Sequence, residues 1–209
     1  MDSDLQQALA SMPLVAILRG ITPRESVDVG RMLVEEGFSI IEVPLNSPQP
    51  LLSIERLAQA IGEQALVGAG TVLRTEQVRE VASAGGRLVV SPNARADVVA
   101  ATKAQGMISI PGFATASEAF AMLDAGADAL KLFPAEAYTP AVVKALRAVL
   151  PADVAVLPVG GIDAASMATW WAGGAAGFGL GSALYRTGDE LDSIRGRARN
   201  LLTAWRALI

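Results

Sequence analysis

Histidine and cysteine are both absent from the 209-residue sequence. Without cysteine there are no disulfides and no thiolate chemistry, which fits a cytoplasmic protein. Without histidine there is no Ser-His triad, and a zinc site would have to be built from carboxylates alone, so zinc-dependent chemistry is not expected. Proton transfer then falls to Glu, Asp, Lys, Tyr or water. Basic residues are in deficit, 17 Lys and Arg against 21 Asp and Glu, which argues against a nucleic-acid or anionic-membrane partner. The one basic cluster, Arg195, Arg197 and Arg199, reads as a solvated face of the last helix. No apolar run is long enough to span a membrane, and the N-terminus has no basic region followed by an apolar core, so no signal peptide is expected. No Pro/Ser-rich linker or low-complexity tract breaks the chain, so residues 1–209 are expected to form one domain.

What remains is a large apolar fraction, 52%, arranged as one repeated unit. A continuous apolar run at residues 14–18 has the pattern of a parallel strand covered on both faces. It ends in Arg19-Gly20, and Thr22-Pro23 then opens a helix as an N-cap with proline in the first turn. Comparable strands are expected at 39–45, 65–71, 88–92, 107–112, 129–134, 154–161 and 176–182, each followed by a helix. Residues 4–10 are expected to form a short helix under the floor of the sheet. Eight strand-helix units in succession predict an α/β fold of the parallel (β/α)8 TIM-barrel type, with a doubly wound open sheet as the alternative.

In such a barrel the functional end is the one where strands run into the following loops. Lys131 lies there inside the apolar run Ala129-Leu130-Lys131-Leu132-Phe133-Pro134. A lysine buried in that way is either paired or kept partly neutral, and a neutral amine is a nucleophile toward ketones. Alternation along the strand turns Lys131 and Phe133 inward and Leu130 and Leu132 toward the helices, and likewise turns Glu42 inward between Ile41 and Val43. An amine and a carboxylate from different strands would then share one small cavity. A buried structural ion pair is the competing reading of Glu42 and Lys131. Arg19 either closes the mouth by pairing with Glu42 or binds a ligand. The glycine patches Val159-Gly160-Gly161 and Gly177-Phe178-Gly179-Leu180-Gly181-Ser182 end the last two strands. Loops in those positions frequently bind phosphate through backbone N–H groups. A phosphorylated ligand is the reading adopted over close strand-helix packing.

Six segments carry a resemblance. They are Ile17-Leu18-Arg19-Gly20, residues 41–48 (Ile-Glu-Val-Pro-Leu-Asn-Ser-Pro), Val67-Gly68-Ala69-Gly70-Thr71-Val72, Ser91-Pro92-Asn93, Lys131-Leu132-Phe133-Pro134 and Val159-Gly160-Gly161. In order along nearly the whole chain, they resemble the class I 2-keto-3-deoxy-6-phosphogluconate/phosphogalactonate aldolases. The resemblance implies that Lys131 forms a Schiff base with a 2-keto acid and that Glu42 shuttles protons. It implies that Arg19 and Thr71 hold a pyruvate carboxylate, that Pro92 and Phe133 line the pocket, and that Gly160, Gly161, Gly181 and Ser182 hold a phosphate. It implies as partners a phosphorylated keto-deoxy sugar acid, pyruvate and glyceraldehyde 3-phosphate, with no metal or organic cofactor and a homotrimeric assembly. Gluconate-specific members typically carry arginine where this chain has Asn46 and threonine where it has Val159, so the galactonate branch is the nearer match. The alternatives are the gluconate epimer or a dual-specificity enzyme, a phosphate-binding barrel isomerase or synthase that needs no Schiff base, and a catalytically silent binding protein.

Overall fold

The structure, a computed structural model, describes residues 2–209. Strands β1 (Leu14–Ile17), β2 (Ile40–Pro44), β3 (Leu66–Gly70) and β4 (Leu88–Val90) follow the first four expected strands, and β5 (Ile108–Ile110) begins the fifth. The fifth is broken: Pro111 separates β5 from β6 (Gly112–Phe113). Proline has no N–H for the ladder, but its carbonyl still accepts from the Lys131 N–H at 2.9 Å. The last three expected strands are β7 (Leu130–Leu132), β8 (Val156–Pro158) and β9 (Phe178–Leu180). All pairings are parallel, in a six-stranded sheet ordered β5-β4-β3-β2-β1-β9 and a three-stranded sheet ordered β6-β7-β8. A parallel bridge between Val159 and Gly179 and a bond from the Ala176 N–H to the Val156 carbonyl (2.9 Å) connect the β8 side to β9. The result is an α/β fold on a curled parallel sheet.

The helices among the described residues are α1 (Ser3–Ser11), α2 (Pro23–Glu36), α3 (Pro50–Ile61), α4 (Thr75–Ser83), α5 (Ala96–Ala104), α6 (Ala116–Asp124), α7 (Ala141–Arg147), α8 (Met167–Ala172) and α9 (Leu191–Arg206). The start of α2 is as read from sequence: Thr22 is the N-cap, Pro23 follows, and Glu25 returns a bond to the Thr22 N–H (2.9 Å). Thr75 is the first residue of α4, with Arg74 as its N-cap. The helix expected after the seventh strand begins only at Met167, because the Asp163 carboxylate draws the N–H groups of Ala165 and Ser166 (3.1 and 2.8 Å) into a side-chain turn. The basic cluster on α9 is not merely solvated, since Arg195 and Arg199 both bond Glu36 on α2.

Strand parity sorts the core into two layers. Ile41, Val43, Leu130 and Leu132 pack outward with the helices, whereas Val15, Ile40, Leu66, Leu88, Ile108 and Leu157 form a second cluster with Leu5 and Ala8 of α1. Helix α1 therefore plugs the floor at the strand N-termini, and polar side chains inside the curl lie toward the opposite end. Among the described residues no helix is long and apolar enough to cross a membrane.

Candidate active site

Lys131 is the middle residue of β7, between the fully buried Leu130 and Leu132, and is itself 4% exposed. Its Nζ lies 4.9 Å from the centroid of the Phe133 ring, and Phe133 shares its parity two residues on. Glu42, on β2, is 1% exposed, and its Oε2 has no hydrogen-bond partner. Among the described residues no ion pair within 4.0 Å joins Glu42 to Lys131 or Arg19. Arg19 instead donates from Nη1 to Asn46 Oδ1 at 2.7 Å, so it does not close the mouth by gripping Glu42. A buried carboxylate oxygen with nothing bonded to it is costly for a structural pair and useful for a group that exchanges protons.

Electrostatics agree with that geometry. Burial raises the Glu42 pKa to about 7, against the opposing charges of Lys131 and Arg19. Burial lowers the Lys131 pKa, Glu42 works against this, and Arg19 adds to it. Both shifts favour the neutral forms, which raises the share of free amine in the cavity that also holds a carboxyl able to give or take a proton.

Glycine makes room for the pair. A Cβ on Gly70, at the end of β3, would fall inside the Glu42 carboxylate. The Gly70→Ala variant is expected to lose about 1–3 kcal/mol of stability by overpacking, with activity lost as Glu42 is displaced. Urea unfolding and a turnover assay on the same preparation check both. A Cβ on Gly179 would stand 2.6 Å from Val159 and 3.2 Å from Ile17, and all three line one cavity with Glu42 and Lys131. Sequence reasoning placed Val159 there but missed Ile17, Val90, Leu157 and Gly179 as walls. The period-2 alternation of β1 and the central glycine of the second patch were the available signals.

The remaining sequence-derived residues lie at the strand ends. Thr71 directly follows β3 with φ +58°, a left-handed conformation rare for a β-branched residue and characteristic of sites where the surroundings fix the backbone. Pro92 lies two residues beyond β4 and is half-buried, with its carbonyl group against Gly112. Gly160 and Gly161 have φ of +110° and +67°. The Val159–Gly179 bridge sets their turn beside the end of β9. There the N–H groups of Leu184 and Tyr185 fold back on the Gly181 carbonyl (2.8 and 2.9 Å), while the space around Gly181 is open and Ser182 is exposed. Among the described residues no three of His, Cys, Asp and Glu cluster as a metal site.

Residues 5–195 match the family model described as aldolase, KDPG and KHG aldolase. A 2-dehydro-3-deoxy-6-phosphogalactonate aldolase of Escherichia coli strain K12 is 46% identical over 198 residues, covering 95% of this chain and 97% of that protein. A 2-dehydro-3-deoxy-phosphogluconate aldolase of Pseudoalteromonas atlantica strain T6c is 33% identical over 161 residues, covering 76% and 73%. A solved structure described as native KDPGal superimposes with a TM-score of 0.93 at 47% identity, covering 94% of this chain and 96% of that one.

Proposed function

The chain belongs to the KDPG and KHG aldolase family and is an aldolase, a carbon–carbon lyase; from that premise we propose that it cleaves 2-dehydro-3-deoxy-6-phosphogalactonate reversibly to pyruvate and glyceraldehyde 3-phosphate through a Schiff base on Lys131. The observation that carries this reading is the buried Lys131 amine in one cavity with the unpartnered Glu42 carboxylate. In the cleavage direction the amine adds to C2 of the keto acid, and water leaves to give an iminium. Glu42 takes the C4 hydroxyl proton, directly or through a water, and the C3–C4 bonding electrons pass into the iminium. Glyceraldehyde 3-phosphate departs, Glu42 returns a proton to C3 of the enamine, and hydrolysis frees pyruvate and the lysine. These steps use the amine, the carboxylate and water, and draw on no metal or organic cofactor.

Arg19 and Thr71 bind the carboxylate of the keto acid, Pro92 and Phe133 wall the lysine, and Gly160, Gly161, Gly181 and Ser182 bind the phosphate. The left-handed Gly160-Gly161 turn and the open start of the Gly181 turn support the last assignment. The strands form a closed (β/α)8 barrel in this reading, with β5 and β6 counted as one strand. The support is the bonds from Lys131 N–H to Pro111 (2.9 Å) and Phe133 N–H to Phe113 (3.1 Å), together with the Val159–Gly179 bridge. We place it in the cytoplasm, as a single domain assembled into a homotrimer. Unburied apolar side chains such as Phe120 and Val149 supply surface for subunit contacts, and light scattering after gel filtration tests the mass.

Borohydride reduction with pyruvate, followed by peptide mass mapping, tests the chemistry. A reduced adduct on the Lys131 peptide is expected, and its absence from folded protein would sink the Schiff base in favour of a phosphate-binding isomerase or silent barrel. The epimer assignment rests on Val159, a cavity wall 8% exposed, and on the greater identity to the galactonate than to the gluconate relative. An apolar wall offers no hydrogen bond to a C4 hydroxyl. Val159→Thr is expected to shift the ratio of kcat/KM values toward the gluconate epimer by about 5- to 100-fold, the range of one buried hydrogen bond. Paired assays on the two epimers measure it.

A further inference from the structure

Arg19 sits near the start of the loop between β1 and α2, whose backbone is contacted from both sides. The Gly20 N–H donates to Ser47 Oγ at 2.9 Å, and Ser47 is buried. On the other side Thr187 Oγ1 lies 3.5 Å from the Arg19 carbonyl, where a Cβ on Gly20, already at φ +86°, would overlap it. The backbone of the β1–α2 loop is thus held between the β2–α3 loop and the segment that follows β9. The side chain is held as well, since Asn46, the neighbour of Ser47, accepts from Arg19 Nη1 at 2.7 Å. The Arg19 charge acts on both Glu42 and Lys131, so the guanidinium is within electrostatic reach of the reactive pair while bonded to neither.

From this we infer that Asn46 is a positioning residue that sets the affinity for the keto-acid carboxylate, by fixing the Arg19 guanidinium with a neutral acceptor. The inference rests on the reading of Arg19 as the carboxylate binder. The physical argument concerns charge and entropy together. An unheld arginine at a barrel mouth samples many rotamers, and the loss of that freedom would fall on ligand binding. A carboxylate at position 46 would hold the guanidinium equally well but neutralise it, leaving less attraction for an anionic ligand. The neutral amide orients the cation and leaves its charge available.

The test is a set of steady-state measurements in the condensation direction on Arg19→Ala, Asn46→Ala and Asn46→Asp. Arg19→Ala is expected to raise the KM for pyruvate strongly. Asn46→Ala should raise the KM for pyruvate by about 3- to 12-fold, the range for one net hydrogen bond, with kcat and the KM for glyceraldehyde 3-phosphate within twofold of the parent. Asn46→Asp should raise the pyruvate KM further than the alanine variant does. Asn46 is exposed, so these variants are expected to fold, and circular dichroism confirms it. If Arg19→Ala raises the pyruvate KM but Asn46→Ala leaves it unchanged, or raises both KM values together, the positioning inference is overturned and the carboxylate reading stands. An unchanged pyruvate KM in Arg19→Ala overturns the carboxylate reading itself. A lower pyruvate KM in Asn46→Asp than in Asn46→Ala overturns the role assigned to the neutral amide.

Discussion

Lys131→Met should abolish turnover, with a loss on the order of 10⁴-fold or more, as when a covalent nucleophile is removed from a site whose other parts remain. The borohydride-trapped pyruvate adduct should vanish with it. Methionine keeps most of the volume of the side chain between Leu130 and Leu132, so the fold is expected to persist. The variant should also be more stable than the parent, because a buried amine with a lowered pKa opposes folding wherever the unfolded chain carries the proton. The native state then binds fewer protons than the unfolded state, so the contribution of Lys131 becomes more favourable as pH rises and its penalty disappears above the unfolded lysine value of about 10.4. The gain in Lys131→Met is therefore expected to be largest near neutral pH and below, and to fade toward alkaline pH. Urea midpoints across that range, run beside the trapping experiment, measure both effects. Near-parental activity would remove the Schiff base from the scheme.

The same two side chains show why part of this site was readable in the sequence. Lys131 and Glu42 are single polar residues inside apolar strands, and period-2 alternation alone assigns each to the interior while sending Leu130, Leu132, Ile41 and Val43 to the helices, where they are found. The repeated strand-helix unit gave the order of elements for the same reason, since strands covered on both faces are continuous apolar runs. The break at Pro111 follows from a missing N–H, yet residues 107–112, apolar but for Ser109, read as one strand and hid the boundary. The late start of α8 depends on a carboxylate choosing a local turn over a helix, a competition that propensity alone does not decide. Least legible were contacts between loops distant in sequence. Nothing near Arg19 in the chain announces Asn46 or Thr187 as its neighbours, and nothing near Gly70 shows that its missing side chain is the space Glu42 occupies.

Glu42→Gln carries the second large effect. Glutamine fills nearly the same space above Gly70 but neither gives nor takes a proton, so kcat should fall by about 10²- to 10⁴-fold, the usual worth of a positioned acid-base group. Lys131 remains, and trapping of pyruvate should still label it, though more slowly. Loss of the label as well as of turnover would mean that the substitution had disordered the cavity and not only removed proton transfer. In the parent, a pKa raised to about 7 should appear as an inflection near pH 7 in kcat/KM, and Glu42→Gln should remove it. Stability provides an independent measure with a definite sign. A carboxyl whose pKa is raised on folding holds its proton in the native state after the unfolded state has lost it, so stability falls as pH climbs from the ordinary 4.5 through about 7 and levels off above. That interval corresponds to about 3 kcal/mol, an upper bound on what Glu42→Gln recovers, since the glutamine amide is buried in turn. Lys131→Met should push the Glu42 titration higher still, because the lysine charge is the larger of the two that oppose the effect of burial, Arg19 being the other. The double variant should then gain more than the sum of the two single gains at neutral pH, since each single substitution leaves the other group's charge without the partner that lowered its cost.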